Sequence, residues 1–174
     1  MISIICATNR PKNQTQKVVD LYKSLLEAQG EACLVLGMNQ VPADFIVSES
    51  YGNRSEEFEG LVSQYLIAAK AFVIIAPEYN GSYPGVFKAF LDANDPKIFA
   101  GKKIALVGVA SGRAGNLRGI DHLAQVAHHL GMHVLPNLVP ISKLHELLDA
   151  QGNFVDETTK QVLEQQSKEL IELC

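Results

Sequence analysis

AFVIIAPEYNGSYPG, residues 71–85, sets an all-apolar run, Ala71 to Ala76, directly against a polar turn, and a helix-like segment from Val86 to Ala93 follows. The run has the length and branched-chain content of a fully buried strand, so PEYNGSYPG is a loop at a strand's carboxyl end. In an open α/β sheet that edge is where ligands sit. Pro77, Pro84, Gly81 and Gly85 fix the loop's path and leave backbone accessible, while Tyr79 and Tyr83 offer flat faces. The loop reads as a platform for something planar with polar edges.

Outward from this stretch, four more runs rich in Val, Ile and Leu recur: Ile2 to Cys6, Ala32 to Leu36, Ile104 to Val109, and His133 to Leu135. Helical spacing separates them, through Val18, Val19, Tyr22, Leu25 and Leu26, then Phe58, Leu61, Val62, Tyr65 and Leu66, then Leu117, Ile120, Leu123, Ala124, Ala127 and Leu130. Continuous apolar strands alternating with amphipathic helices predict a doubly wound α/β fold: a five-stranded parallel sheet with helices on both faces and a closing helix near 156–173. Gly30 and Gly131 read as helix stops, Asp156 or Thr158 as the last helix's cap, and Pro136 and Pro140 as marks of an extended segment. The poorly periodic stretch 37–54 is a long connection suited to a rim or lid.

A chain of 174 residues, 47% hydrophobic, suits one well-buried domain over 1–174. The net charge of -4 and the absence of a basic block argue against nucleic-acid and membrane-surface partners. Cys6 and Cys33 fall in strand-like runs and Cys174 is the last residue, so no disulfide framework is expected and a reducing cytoplasm is the simplest location. The start, MISIICATNR, lacks the charged region and length of a signal peptide, and no apolar run reaches membrane-span length. His128, His129 and His133 sit around Gly131, which ends the helix between them, so no metal site is expected.

In such a sheet the loops after strands one, three and four emerge on one edge, which brings together 7–15, 77–83 and 111–118. ATNRPKNQT, 7–15, supplies the hydroxyls of Thr8 and Thr15, the amide of Asn13, the guanidinium of Arg10 and free amides at a helix start. That set suits a phosphate seat or, alternatively, a polar turn capping the helix. SGRAGNLRG, 111–119, carries Ser111, Gly112 and Gly115, which permit close approach to a ligand edge or make an ordinary turn into a helix.

These three segments, in this order, resemble the NAD(P)H-dependent FMN reductases of flavodoxin-like fold, a family that includes quinone, azo-dye and chromate reductases. PEYNGSYPGVFKAFLD, 77–92, is similar to the family's P-E-Y-N-x-S-x-P run and to the lysine and aspartate that follow it, here Lys88 and Asp92. The resemblance implies strand order 2-1-3-4-5. The family's first loop reads G-S-x-R-x-x-S; here Ala7, Thr8 and Asn13 replace the glycine and both serines, and Ala93-Asn94-Asp95 stands where a tryptophan is common.

The resemblance implies that Thr8, Arg10, Asn13, Gln14 and Thr15 hold the ribityl phosphate of FMN, with Arg10 also within reach of NADPH phosphates. It implies that Pro77, Glu78, Tyr79 and Asn80 meet the isoalloxazine edge and that Ser111, Gly112 and Gly115 close the far side. Tyr79 and Tyr83 suit stacking on a ring, the border of an acceptor pocket or packing at a subunit contact, and Tyr83 and Arg113 are the residues expected at the substrate pocket. The flavin then performs the chemistry, taking hydride from NAD(P)H and passing electrons to a quinone, an azo compound or free flavin, and no catalytic side chain is required. Two alternatives are a non-enzymatic flavodoxin-like electron carrier and a relative with weakened FMN binding. Relatives also imply a homodimer or a dimer of dimers, with Lys88 and Asp92 either a surface pair or a bridge between subunits.

Overall fold

The computed structural model describes residues 1–50 and 54–174. Strands β1 (Ile2–Cys6), β2 (Cys33–Gly37), β3 (Ala71–Pro77), β4 (Lys103–Val109), β5 (His133–Val134) and β6 (Val139–Ile141) form one parallel sheet. Its order is β2-β1-β3-β4-β5, with β6 also on β4. Helices α1 (Thr15–Ala28), α2 (Phe45–Ser48), α3 (Glu56–Leu61), α4 (Gly85–Asp92), α5 (Leu117–His129) and α6 (Glu157–Glu172) connect and close it.

Strand periodicity sorts the core into two layers. Ile2, Ile4, Val73, Ile75, Ala105 and Val107 face α1 and α6, where Val18, Val19, Tyr22, Leu26, Leu163 and Leu170 cover them. Ile5, Phe72, Ile74, Ile104 and Leu106 point the other way, under Phe58, Phe87, Phe90, Ile120 and Leu123. Because each layer is lined by alternate residues, a one-residue slip in any inner strand would exchange the two sets.

The expected count of five strands is corrected to six, because the fifth position of the sheet is shared by two short pieces. β5 pairs Lys103 and Ile104, and β6 pairs Val107 to Val109. Leu135 still donates to Ile104, at 2.9 Å, but Pro136 has no N–H to continue the ladder. Pro140 is tolerated within β6, where its ring is exposed.

Two further expectations are also refined. The pattern from Phe58 to Leu66 is α3 followed by a π-helical stretch, Val62–Ile67, and it keeps Phe58, Val62 and Leu66 buried. The connection 37–54 is no lid over its described part. Met38, Val41 and Phe45 are buried, and Phe45 stacks on Phe58 and meets Phe90 edge-on, each at 6.3 Å. Tyr51 to Asn53, the rest of that expectation, lie outside the described residues. Gly30 and Gly131 do end helices, at φ 77° and 74°, and Asp156 is the cap of α6. Among the described residues no helix is long and apolar enough to cross a membrane.

Candidate functional site

At the carboxyl edge of the sheet lies a cavity of about 810 Å³, within the range of small-molecule sites. The first loop lines it with Arg10, Asn13, Gln14 and Thr15, the second with Pro77, Glu78 and Tyr79, and the third with Ser111. The convergence expected from topology is therefore present for eight of the predicted residues. Thr8, Asn80, Tyr83, Gly112, Arg113 and Gly115 are not among the lining residues.

The first loop is held in shape by its own polar side chains. Asn13 Nδ2 donates to the Arg10 carbonyl at 3.0 Å, and its Oδ1 accepts from the Gln16 amide at 3.0 Å and from Cys6 Sγ at 3.7 Å. The longer amide that replaces the family's serine thus folds back to cap α1 and does not fill the seat. Burial pushes the Cys6 thiol up to about 11, so the floor beneath the loop stays neutral. Lys12, at φ 53°, turns the chain into the helix. No acidic side chain occupies the first turn of α1, and with Arg10, Lys12 and Lys17 on the wall this end of the cavity favours an anion.

Thr8 has a different part from the one expected. It is fully buried, its Oγ1 accepts from the Arg10 amide at 3.1 Å, and it lies 2.7 Å from the Tyr79 hydroxyl. The hydroxyl ties loop one to loop two.

In the second loop, Tyr79 and Ser82 exchange backbone hydrogen bonds of 2.8 and 3.1 Å around Asn80 and Gly81. Both central residues have positive φ, 52° and 78°, the sign a type I′ turn demands and the reason Asn-Gly suits the position. The Glu78 amide donates to Val109 at 2.8 Å. Of the residues expected at the ligand edge, Glu78 and Tyr79 have their backbone N–H groups spent on the sheet and the turn. Tyr83 leaves the cavity altogether and packs edge-on against Phe87 at 6.4 Å.

The third loop uses Gly115 for packing. Gly115 has φ 60°, and a Cβ there would lie 2.8 Å from the Pro140 backbone. Gly112 accepts from the Lys143 amide at 3.0 Å. The Arg113 carbonyl accepts from Ser142 Oγ at 2.6 Å, while the residue itself is exposed. A fourth wall was not foreseen: Leu144, Leu148 and the turn Asp149–Gly152 also line the cavity. The D-A-Q-G-N composition of 149–153 signals a turn, but nothing local says that it folds back over loop one.

Comparisons with known proteins bear on the family and the fold. A family model described as NADPH-dependent FMN reductase matches residues 1–146. An NAD(P)H-dependent FMN reductase of Pseudomonas aeruginosa is 37% identical over 107 residues, which span 59% of this chain and 58% of that protein. A 2-hydroxy-1,4-benzoquinone reductase of a Burkholderia species is 33% identical over 125 residues, 68% of each chain. Among solved structures, a flavoenzyme NAD(P)H:(acceptor) oxidoreductase of Paracoccus denitrificans has a TM-score of 0.81 at 22% identity, over 98% of this chain and 94% of that one. An archaeal flavodoxin has a TM-score of 0.66 at 15% identity, covering 99% and 98%. Both likenesses establish the flavodoxin-like fold. With the family model matched over 146 of 174 residues, the chain belongs to the NADPH-dependent FMN reductase family.

Proposed function

We propose that the chain is an oxidoreductase that binds FMN in the carboxyl-edge cavity, draws reducing equivalents from NAD(P)H and passes them to a small acceptor of the quinone, azo or free-flavin type. The observation that carries this reading is the cavity itself: a cationic, acid-free helix start at one end, an apolar floor of Val109 and Ala110, and the Pro77–Tyr79 edge beside it. That donor set fits a phosphomonoester joined to a flat heterocycle. Bound FMN would supply the hydride acceptor and the store of two electrons.

The residues of the chain have positioning tasks. Arg10, Gln14, Thr15 and the start of α1 offset the phosphate charge. Asn13 and the Thr8–Tyr79 pair keep the first two loops in register, and Ser111 offers a hydroxyl opposite them. Glu78 edges the heterocycle, the exposed Asn80 amide serves it only where the ring reaches past the cavity wall, and Gly112 and Gly115 act by shaping the third loop. Tyr83 and Arg113 lie outside the cavity wall and serve an acceptor only where it extends past that wall.

The same reading includes a homodimer or a dimer of dimers in the cytoplasm. Ile46 and Val47, 52% and 84% exposed beside α4, supply apolar surface for a subunit contact. Light scattering is expected to give at least twice the 19.0 kDa chain mass, and a particle of one chain mass with flavin bound would count against it.

Anaerobic mixing of the FMN-loaded protein with NADPH or NADH tests the enzyme reading. Rapid loss of the flavin's visible band is expected; a band that neither nucleotide bleaches would favour an electron carrier reduced by a protein partner.

A further inference from the structure

The family match ends at residue 146, yet Leu148, Asp149, Ala150, Gln151 and Gly152 line the cavity. This wall is built as a hydrogen-bonded hairpin. Leu148 and Phe154 bridge its base and pack on the core layer under α1 and α6, and the Val155 amide donates to Leu147 at 2.9 Å. Asp149 fixes the tip: its Oδ1 accepts from the Gln151 and Asn153 amides at 2.9 and 2.8 Å, and its Oδ2 accepts from Asn153 Nδ2 at 3.0 Å. The Gly152 amide closes the turn on the Asp149 carbonyl at 2.9 Å.

The tip meets α1. Lys17 Nζ lies 3.1 Å from where a Cβ on Gly152 would stand, so the ammonium reaches across the mouth of the phosphate end. Among the described residues neither Lys17, Lys12 nor Arg10 forms a salt bridge. Of the carboxylates on the wall, that of Asp149 is bonded within its own turn. Arg10, Lys12 and Lys17 outnumber the two carboxylates of the wall, Glu78 and Asp149, and three cations free of ion pairs at one end of a cavity suit a multiply charged anion; a phosphomonoester at neutral pH carries close to two charges.

On the FMN reading above, we infer that Lys17 and the turn Asp149–Gly152 form an outer clamp over the phosphoryl end of the flavin nucleotide. The loop of the first strand supplies the inner half of the seat, and this hairpin, beyond the family's matched span, supplies the outer half. The clamp recognises the phosphate and not the ring, so it discriminates FMN from riboflavin and slows FMN release.

The test is a titration of flavin-free protein with FMN and with riboflavin, followed by flavin fluorescence, for wild type, Lys17→Met and Asp149→Ala. Lys17 is exposed and Asp149 lies in a surface turn, so both variants should fold, which thermal melts check. Lys17→Met is expected to weaken FMN about tenfold, the scale of one charge-assisted bond, and to leave riboflavin within about twofold. Asp149→Ala is expected to speed FMN release several-fold. Wild-type FMN affinity in Lys17→Met, an equal loss for FMN and riboflavin, or unchanged release from Asp149→Ala overturns the clamp. A wild type that binds no FMN overturns the FMN reading and the clamp together, which separates that failure from the clamp's own.

Discussion

The 2.7 Å contact between Thr8 Oγ1 and the Tyr79 hydroxyl joins two loops 71 residues apart in sequence, and it shows where reading single residues stops. Arg10, Gln14 and Thr15 are legible as residues of the cavity wall because their types and their place at a helix start limit what they can do. Thr8 and Asn13 have equally suitable chemistry, but their polar atoms are claimed by neighbours that sequence spacing does not reveal. The same holds for Glu78 and Tyr79, whose amides go to Val109 and Ser82. Tyr79→Phe keeps the Arg10 amide bonded to Thr8 and removes only the tie between loops. We expect a stability loss of about 1 kcal/mol and a several-fold weaker hold on FMN, read by melting and by titration. Unchanged FMN affinity would remove the tie from the account.

The elements were largely legible, since continuous apolar strands and three/four-spaced helices are strong signals. β6 and the 149–152 turn were not, because three paired residues with a proline at their centre carry no period and a turn's composition does not say where it lands. The cap of α6 is a case where local chemistry sufficed. Asp156 Oδ2 accepts from the Thr159 amide at 2.7 Å, and the hydrogen bonds from Thr159, side chain first and then backbone, hold its carboxyl below the ordinary 3.8. A depressed carboxylate gives stability that is full above the unfolded-state value and lost as pH falls through the folded one. Asp156→Asn should therefore keep the cap and flatten part of the decline in melting temperature below about pH 4, whereas Asp156→Ala should lower the melting temperature at neutral pH. An acid limb unchanged in Asp156→Asn would contradict this assignment.

Across the whole molecule, one buried polar chain links the outer helices to the sheet. Tyr22 of α1 donates to Gln166 Oε1 of α6 at 3.1 Å, and Gln166 Nε2 donates to the carbonyls of Leu106 and Asn137 at 3.1 and 2.6 Å. Both side chains are fully buried, so the phenol stays protonated at any ordinary pH, its pKa raised by that burial and secondarily by Glu169. Tyr22→Phe leaves Gln166 Oε1 buried and unpaired, and a loss of about 1–3 kcal/mol in chemical denaturation is expected; a loss below half a kcal/mol would mean that water replaces the bond. This network fixes α1 against α6, and with it the hairpin that precedes α6 over the helix start that opens the cavity.

Retained flavin tests that arrangement most directly. The protein, reconstituted with FMN and passed through a gel-filtration column, is expected to emerge with the visible flavin bands at one FMN per chain. A colourless protein peak, with all flavin in the small-molecule fraction, would contradict the assignment of the carboxyl-edge cavity to FMN.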